Sequence, residues 1–177
     1  LRIKGKKYKP TTREYLEKYM FAPIHMALDA LSFITSDINT AVSNQIKKEL
    51  EDSYGKIISK KTYFIPNGIN PQNLKTEIKN KTPSIVFAGA FRVRKRVIHL
   101  IYAFKEVLLK KPDAHLILIG GGRGYEQKIL KLINDLKIKD NIILTGKLTA
   151  GETNKIIQKA DVFCLPSSKE GFSLALL

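Results

Sequence analysis

Four short stretches of the 177-residue chain hold residue types that could act on an anionic, hydroxyl-rich ligand. The first is G-A-F-R-V-R-K-R, Gly89 to Arg96, in which arginine forks and a lysine point charge suit phosphate oxygens. Arg94 and Lys95 stand just before an expected helix, where a phosphate role is favoured, whereas Arg92 or Arg96 taken singly reads as solvated surface charge. The second, Gly120 to Gly122, permits a tight turn beside a ligand. It is not a dinucleotide fingerprint, because Tyr125 occupies the place of the last glycine in G-x-G-x-x-G. The third is Thr145 to Leu148, where Gly146 would allow backbone contact with a flat base; Gly146-Lys147 lacks the upstream glycine of a Walker sequence. The fourth runs from Asp161 to Leu177. Its apolar run, Val162 to Leu165, stops at Pro166, and a polar loop leads through Glu170 and Gly171 into an expected helix start. A carboxylate there can reach hydroxyl groups, and the unpaired N–H groups of an opening helix attract an anion. A solvated acid stabilising a helix N-terminus is the competing reading of Glu170.

The elements that must position these loops follow from periodicity. Strands are expected at Ser84 to Ala88, Ala114 to Ile119, Asn141 to Thr145 and Val162 to Leu165. They alternate with helices at Val97 to Lys110, Tyr125 to Leu136 and Glu152 to Ala160, the last preceded by a Thr149/Glu152 capping box. Such alternation requires an α/β fold with a Rossmann-like parallel sheet covered by helices on both faces. Ligands of such sheets sit at the carboxyl ends of the strands, so the four loops should converge. Upstream, Leu1 to Pro10 is basic, Thr11 and Glu14 are spaced as a capping box, and Tyr15, Met20, Ala27 and Leu28 follow a helical pattern broken at Pro23. Ser36 to Ser43 reads as a strand ending in a cap, Asn44 to Tyr54 as a helix closed by Gly55, and Thr62 to Ile65 as a strand closed by Pro66-Asn67-Gly68. Residues 69–83 turn polar and read as an interdomain linker or as one long surface loop.

Composition bounds the partners. With 44% hydrophobic and 27% charged residues the chain has an ordinary globular balance, and no apolar run approaches the ~20 residues of a membrane-spanning helix. The single Cys164 excludes an internal disulfide framework and suggests a small buried hydrophobe, with a cytoplasmic setting as the default. Lys and Arg number 31 against 16 Asp and Glu, a formal +15. The lysines are scattered, without an aromatic-interleaved basic stripe, so the charge reads first as general composition and next as attraction to an anionic substrate or membrane surface; nucleic acid is not expected. His25, His99 and His115 lack neighbours at metal-ligand spacing, and no Ser-His-Asp or Cys-His arrangement stands out.

Together several stretches resemble one family, the retaining glycosyltransferases of family 4, which have the GT-B fold. Ile65-Pro66-Asn67-Gly68-Ile69 is similar to the "IPNGV" turn between that family's two domains, and Phe87 to Lys95 resembles its "G-R-L-x-x-x-K-G" segment. Ile119 to Gly122 resembles its "G-x-G" turn. Ala160 to Phe163, Leu165 to Ser167 and Glu170 to Phe172 resemble "A-D-V-F-V-L-P-S-x-x-E-G-F-G". Ser36, Asp37, Thr40, Val42 and Ser43 are similar to the last strand of the family's N-terminal domain, so the resemblance covers about Ser32 to Leu177. It implies that residues 1–65 end an acceptor-side domain, 66–83 form a linker, and 84–177 form a donor-binding domain.

By the same resemblance, a sugar passes from a nucleotide-diphosphate sugar to a glycan or lipid-linked acceptor with retention at the anomeric carbon. The catalytic residues would be Lys95, neutralising the diphosphate, and Glu170, binding donor hydroxyls. Gly89, Arg92, Arg94, Gly120, Gly122, Gly171 and the N–H groups of Phe172, Ser173 and Leu174 would surround sugar and phosphate, while Gly146 and Leu148 would face the base. No metal or other cofactor is implied, and peripheral association with an anionic membrane face is. The chain departs from the pattern at Ala90, where an arginine is usual, and at Arg96 and Ser173, where glycines are. The second glutamate of the family's E-x7-E motif would fall one residue past Leu177, and the fragment is expected to be inactive alone. From another class, a non-catalytic Rossmann-like nucleotide-binding or scaffold domain, its basic surface serving nucleic acid or membrane, is the alternative, favoured by Ala90.

Overall fold

The computed structural model describes residues 2–3, 6–7, 20–68, 82–122, 124–173 and 175, arranged in two compact units, Leu1–Gly68 and Ile69–Leu177. The expected capping box at Thr11 and Glu14, most of the linker at 69–83, and Leu174 lie outside the described residues.

In the first unit β1 (Arg2–Ile3) pairs antiparallel with β2 (Lys6–Lys7), and α1 spans Ala22–Thr35. α1 begins at Ala22 with Pro23 in its first turn, directly after the π-helical residues Met20 and Phe21; the expected helical pattern before Met20 lies outside the described residues. Next come β3 (Asn39–Ala41), α2 (Asn44–Tyr54), the short α3 (Lys56–Lys60) and β4 (Thr62–Phe64), which pairs parallel with β3. Ser43 caps α2, its Oγ accepting from the Ile46 N–H at 3.2 Å, and Gly55, at φ 88°, closes α2 and opens α3. Lys61 donates to the carbonyls of Ile34 and Ser36, both at 2.6 Å, and so satisfies the C-terminus of α1.

The second unit holds four parallel strands: β5 (Ser84–Ala88), β6 (His115–Ile119), β7 (Ile142–Gly146) and β8 (Val162–Phe163). Their helices are α4 (Val97–Leu108), α5 (Tyr125–Leu136) and α6 (Ala150–Lys159). Alternate strand residues face opposite ways, which explains two separate apolar layers. Phe87, Leu116 and Leu118 pack with Leu100, Ile101 and Phe104 of α4 and Ile129 and Ile133 of α5. Val86, Ala88, Ile117 and Ile119 pack against Leu148 and, from α6, Ile156 and Ile157. Helices therefore cover both faces, and each fully buried Phe, Ile or Leu contributes about 1.5–3 kcal/mol. The Thr149/Glu152 capping box is present in both directions. Because Thr149 is the cap, α6 opens at Ala150, two residues before the expected start.

Strand order is β7-β6-β5-β8. The chain builds outward from β5 to β7 and then crosses back to place β8 on the other side of β5. Loops leaving β5 and β8 therefore part company at their carboxyl ends, opening a crevice between them. Asp161 fixes this junction from below: its Oδ2 accepts from the N–H and the hydroxyl of Ser84 at 2.9 and 3.1 Å.

Between β5 and α4 a 3-10 turn, Val93–Lys95, feeds Arg96, whose φ of 51° and ψ of 33° lie in the left-handed region. An arginine thus takes a backbone shape that favours glycine, at a strain of about 1–2 kcal/mol. Glycine relieves the strain but adds freedom to the unfolded chain, so Arg96→Gly should stabilise the protein by a net ~0.5–1 kcal/mol. Urea unfolding checks this through a raised midpoint with an unchanged slope.

Candidate active site

Lys95 and Glu170, 75 residues apart in sequence, meet at the β5/β8 crevice. The Lys95 Nζ donates to Glu170 Oε1 at 2.5 Å, with the two side chains only 13% and 23% exposed. Burial pushes the Glu170 carboxyl up, yet the Lys95 hydrogen bond, the nearby Ser167 hydroxyl and the charges of Lys95 and Arg94 outweigh it and hold the acid below the usual carboxylate range. The Ser167 Oγ is buried without a bond of good geometry, though it stands close enough to favour the ionised form.

Arg94 reaches the same acid. Its guanidinium lies 3.8 Å from Glu170 Oε2 and donates to the Lys169 carbonyl at 3.3 Å. Its own carbonyl accepts from the Ser168 N–H at 2.8 Å and from the Ser168 hydroxyl at 3.1 Å. Arg92 and Arg96 are exposed, and their side chains have no bonded partner among the described residues. Of the four cations before α4, the structure therefore joins Arg94 and Lys95 to Glu170 and leaves Arg92 and Arg96 in solvent.

The glycines bring backbones together. Gly89 N–H donates to the Ile119 carbonyl at 2.9 Å, Phe91 N–H to Gly121 at 3.0 Å, and Gly120 N–H to Gly146 at 2.8 Å. A Cβ on Gly120, at φ 130°, would stand 2.0 Å from the Gly89 carbonyl oxygen, and one on Gly122 would stand 2.2 Å from that of Phe91. The Gly120–Gly122 turn thus answers first to the neighbouring loop. Beside it opens a cleft of ≈ 410 Å³ lined by Gly89, Ala90, Gly120, Lys147, Leu148 and Thr153, among others. Lys95 Cε passes 3.9 Å from where a Gly89 Cβ would be, which places the lysine stem near this wall. Gly146, at φ 71°, turns the chain from β7 toward Leu148. Gly171, Phe172 and Ser173 are half-buried and irregular, and the expected helix start after them falls largely on residues outside those described.

Sequence reasoning gave no part to Lys147 or Thr153, which line the cleft, or to Ser168. Lys147 lies in the Thr145 to Leu148 loop, where its spacing excludes a Walker sequence and signals no other contact. Thr153 and Ser168 carry no spacing signal. Cys164 is free and half-buried, its thiol pushed up by burial. His25 and His99 are exposed, and His115 Nδ1 lies 3.4 Å from the Thr82 hydroxyl. Among the described residues no helix is long and apolar enough to cross a membrane.

A parallel sheet with helices on both faces and loops meeting at its switch point is the architecture of the GT-B glycosyltransferases. The chain belongs to the glycosyl transferases group 1 family, whose sequence model matches residues 69–177. It is 25% identical over 152 residues to a GDP-mannose-dependent monoacylated alpha-(1-6)-phosphatidylinositol monomannoside mannosyltransferase of Corynebacterium glutamicum, covering 78% of this chain and 38% of that protein. It is 30% identical over 155 residues to the poly(glycerol-phosphate) alpha-glucosyltransferase of Bacillus subtilis, covering 84% and 20%. Anabaena HepE in complex with UDP-glucose superposes with a TM-score of 0.73 at 14% identity, covering 90% and 46%. Staphylococcus aureus TarM, in a complex containing UDP, superposes with 0.72 at 16% identity, covering 95% and 31%. The chain spans about two fifths or less of the length of these curated relatives.

Two outcomes follow from the site's geometry. Gly120→Ala forces Cβ into the Gly89 carbonyl and should destabilise the second unit by about 2 kcal/mol or more, seen as a lower thermal midpoint. Ionised Glu170, its folded-state pKa lowered, adds stability that is complete above the ordinary carboxylate range and is lost as pH falls through the lowered value. The stability difference between the wild type and Glu170→Gln, followed by urea unfolding from pH 7 to pH 3, should shrink toward the acid end.

Proposed function

We propose that this chain carries the donor-binding half of a retaining, family 4 glycosyltransferase that moves a sugar from a nucleotide-diphosphate sugar to a glycan or lipid-linked acceptor. The observation that carries the reading is the Lys95–Glu170 pair at the switch point, beside a cleft walled by backbone and glycine. Departure of the nucleoside diphosphate concentrates negative charge on phosphate oxygens. A half-buried ammonium already turned to the bound diphosphate stabilises that charge as the bond breaks, an effect worth roughly 10²–10³ in rate. Glu170 accepts hydrogen bonds from donor hydroxyls, and the N–H groups after Gly171 receive sugar and phosphate. The Gly146–Leu148 edge of the cleft takes the base. Neutralising the anionic leaving group is assigned to protein side chains, with no metal.

The relatives support this by their names: one uses GDP-mannose, and one structure holds UDP-glucose. Two of them act on phosphate-containing acceptors, a phosphatidylinositol mannoside and poly(glycerol-phosphate), which suits a chain of formal charge +15 and fits work at the cytoplasmic membrane face. Ala90, which lines the cleft without a charge, favours the second reading of a non-catalytic nucleotide-binding domain.

One experiment separates them. In the complete polypeptide, UDP-glucose or GDP-mannose should raise the thermal midpoint, and transfer should fall at least 100-fold in both Lys95→Ala and Glu170→Ala. Full turnover by Glu170→Ala removes the role given to that acid. Stabilisation by nucleotide without transfer to any acceptor supports the second reading.

A further inference from the structure

Resting on the donor-site reading above, we infer that Arg94 is a positioning residue: it ties the loop that carries Glu170 to the loop that carries Lys95, and keeps Glu170 aimed at the donor sugar once Lys95 engages the diphosphate. Its sequence position suggested a phosphate contact, and the geometry points elsewhere. β8 pairs with β5 through Val162 and Phe163 only, extended by the Cys164 N–H to the Val86 carbonyl at 2.8 Å. Beyond that ladder the two loops diverge, as loops at a switch point must. They are rejoined by the Lys95–Glu170 bond and by the contacts of Arg94 with Ser168, Lys169 and Glu170.

The two cations differ in what a ligand would do to them. Lys95 gives its ammonium to Glu170 Oε1, and an arriving diphosphate competes for that same point charge. The ties of Arg94 end on protein groups. Its carbonyl is held by the N–H and hydroxyl of Ser168, and its guanidinium is held by the Lys169 carbonyl. The fork can therefore stay in place, 3.8 Å from Oε2, while Lys95 turns toward phosphate. Oε1 is then released to accept a sugar hydroxyl, and the carboxylate remains ionised because one cation still faces it. The charged groups that face Glu170 are Lys95 and Arg94, both from the loop after β5. A planar guanidinium bridging a carbonyl and a carboxylate suits this task better than a lysine would.

Paired ligands test the inference in the complete polypeptide: UDP against UDP-glucose, and GDP against GDP-mannose, by titration calorimetry and steady-state kinetics. In Arg94→Ala, affinity for the nucleoside diphosphate should stay within about twofold of wild type, while affinity for the nucleotide sugar should fall about tenfold. kcat should fall with it, and the acid limb of the kcat/KM profile should move to higher pH. Arg94→Lys should return the acid limb toward its wild-type position, since it restores the charge, but leave part of the kcat loss. Ser168→Ala, which removes one tie and no charge, should show a smaller loss confined to the nucleotide sugar. Equal loss for the diphosphate and the nucleotide sugar would make Arg94 a phosphate ligand and overturn the inference, as would unchanged binding and kinetics. A wild-type protein that binds none of the four probes refutes the donor site itself, and the role of Arg94 with it.

Discussion

The adjacency of β5 and β8 is the constraint on which the site depends. Only two residues of β8 pair with β5, so the ladder alone holds it weakly. Asp161 compensates at the start of the strand by binding both polar groups of Ser84, while its own N–H donates to the Ser84 carbonyl at 3.1 Å. A hydrogen bond to a charged acceptor contributes roughly 1.5–3 kcal/mol, more than a neutral one. With the lower end pinned, the direction in which each strand exits is fixed, and Lys95 and Glu170 are delivered to the same point. Neither residue could reach the other if β8 lay beside β7, at the far edge of the sheet.

Above the strand ends, rigidity comes from backbone packed on backbone. Gly89, Gly120 and Gly146 stand in a row across three loops, each bonded to a neighbour, and Gly120 approaches the Gly89 carbonyl so closely that no side chain fits. One wall of the cleft is thereby built from main chain, which cannot change rotamer. Such a wall offers fixed N–H and C=O groups to a ligand. Ala90 fits this setting as a small side chain on a surface already shaped by its neighbours.

Much of this was legible in the sequence, for definite reasons. The central strands of the second unit, β5 and β6, are short apolar runs buried on both faces, and the Thr149/Glu152 box is a local signal that tertiary structure did not override. The Gly55 stop and the Tyr125–Leu136 helix were equally local. At Pro23 the backbone changes from π-helical to α-helical, which periodicity alone does not distinguish from a break. Lys95 and Glu170 were legible as candidates, since each ends a strand-loop pattern. Their contact was not, because it follows from strand order. Ser168 and Lys147 could not have been found: one acts through its backbone and hydroxyl on a loop 74 residues away, and the other lines the cleft from a loop read for its glycine.

Under the proposed function, the pairing of Lys95 with Glu170 is better understood as chemistry than as stability. Taking two charges partly out of water costs several kcal/mol, and their mutual attraction returns much of it without a clear surplus. A pair kept for stability alone would be replaceable by apolar side chains, and here those would stand beside a cleft already lined by Ala88, Ala90 and Leu148. Retaining charge at that place keeps an ammonium and a carboxylate in opposite roles within one hydrogen bond of each other. Around them Arg92 and Arg96 stay in solvent, so an approaching anion meets a positive field before it meets the pair. The exposed arginines are screened by salt within about 10 Å, whereas the half-buried pair is screened much less. On the proposed donor-site reading, attraction at long range and charge neutralisation at short range fall to different cations of the same eight-residue loop.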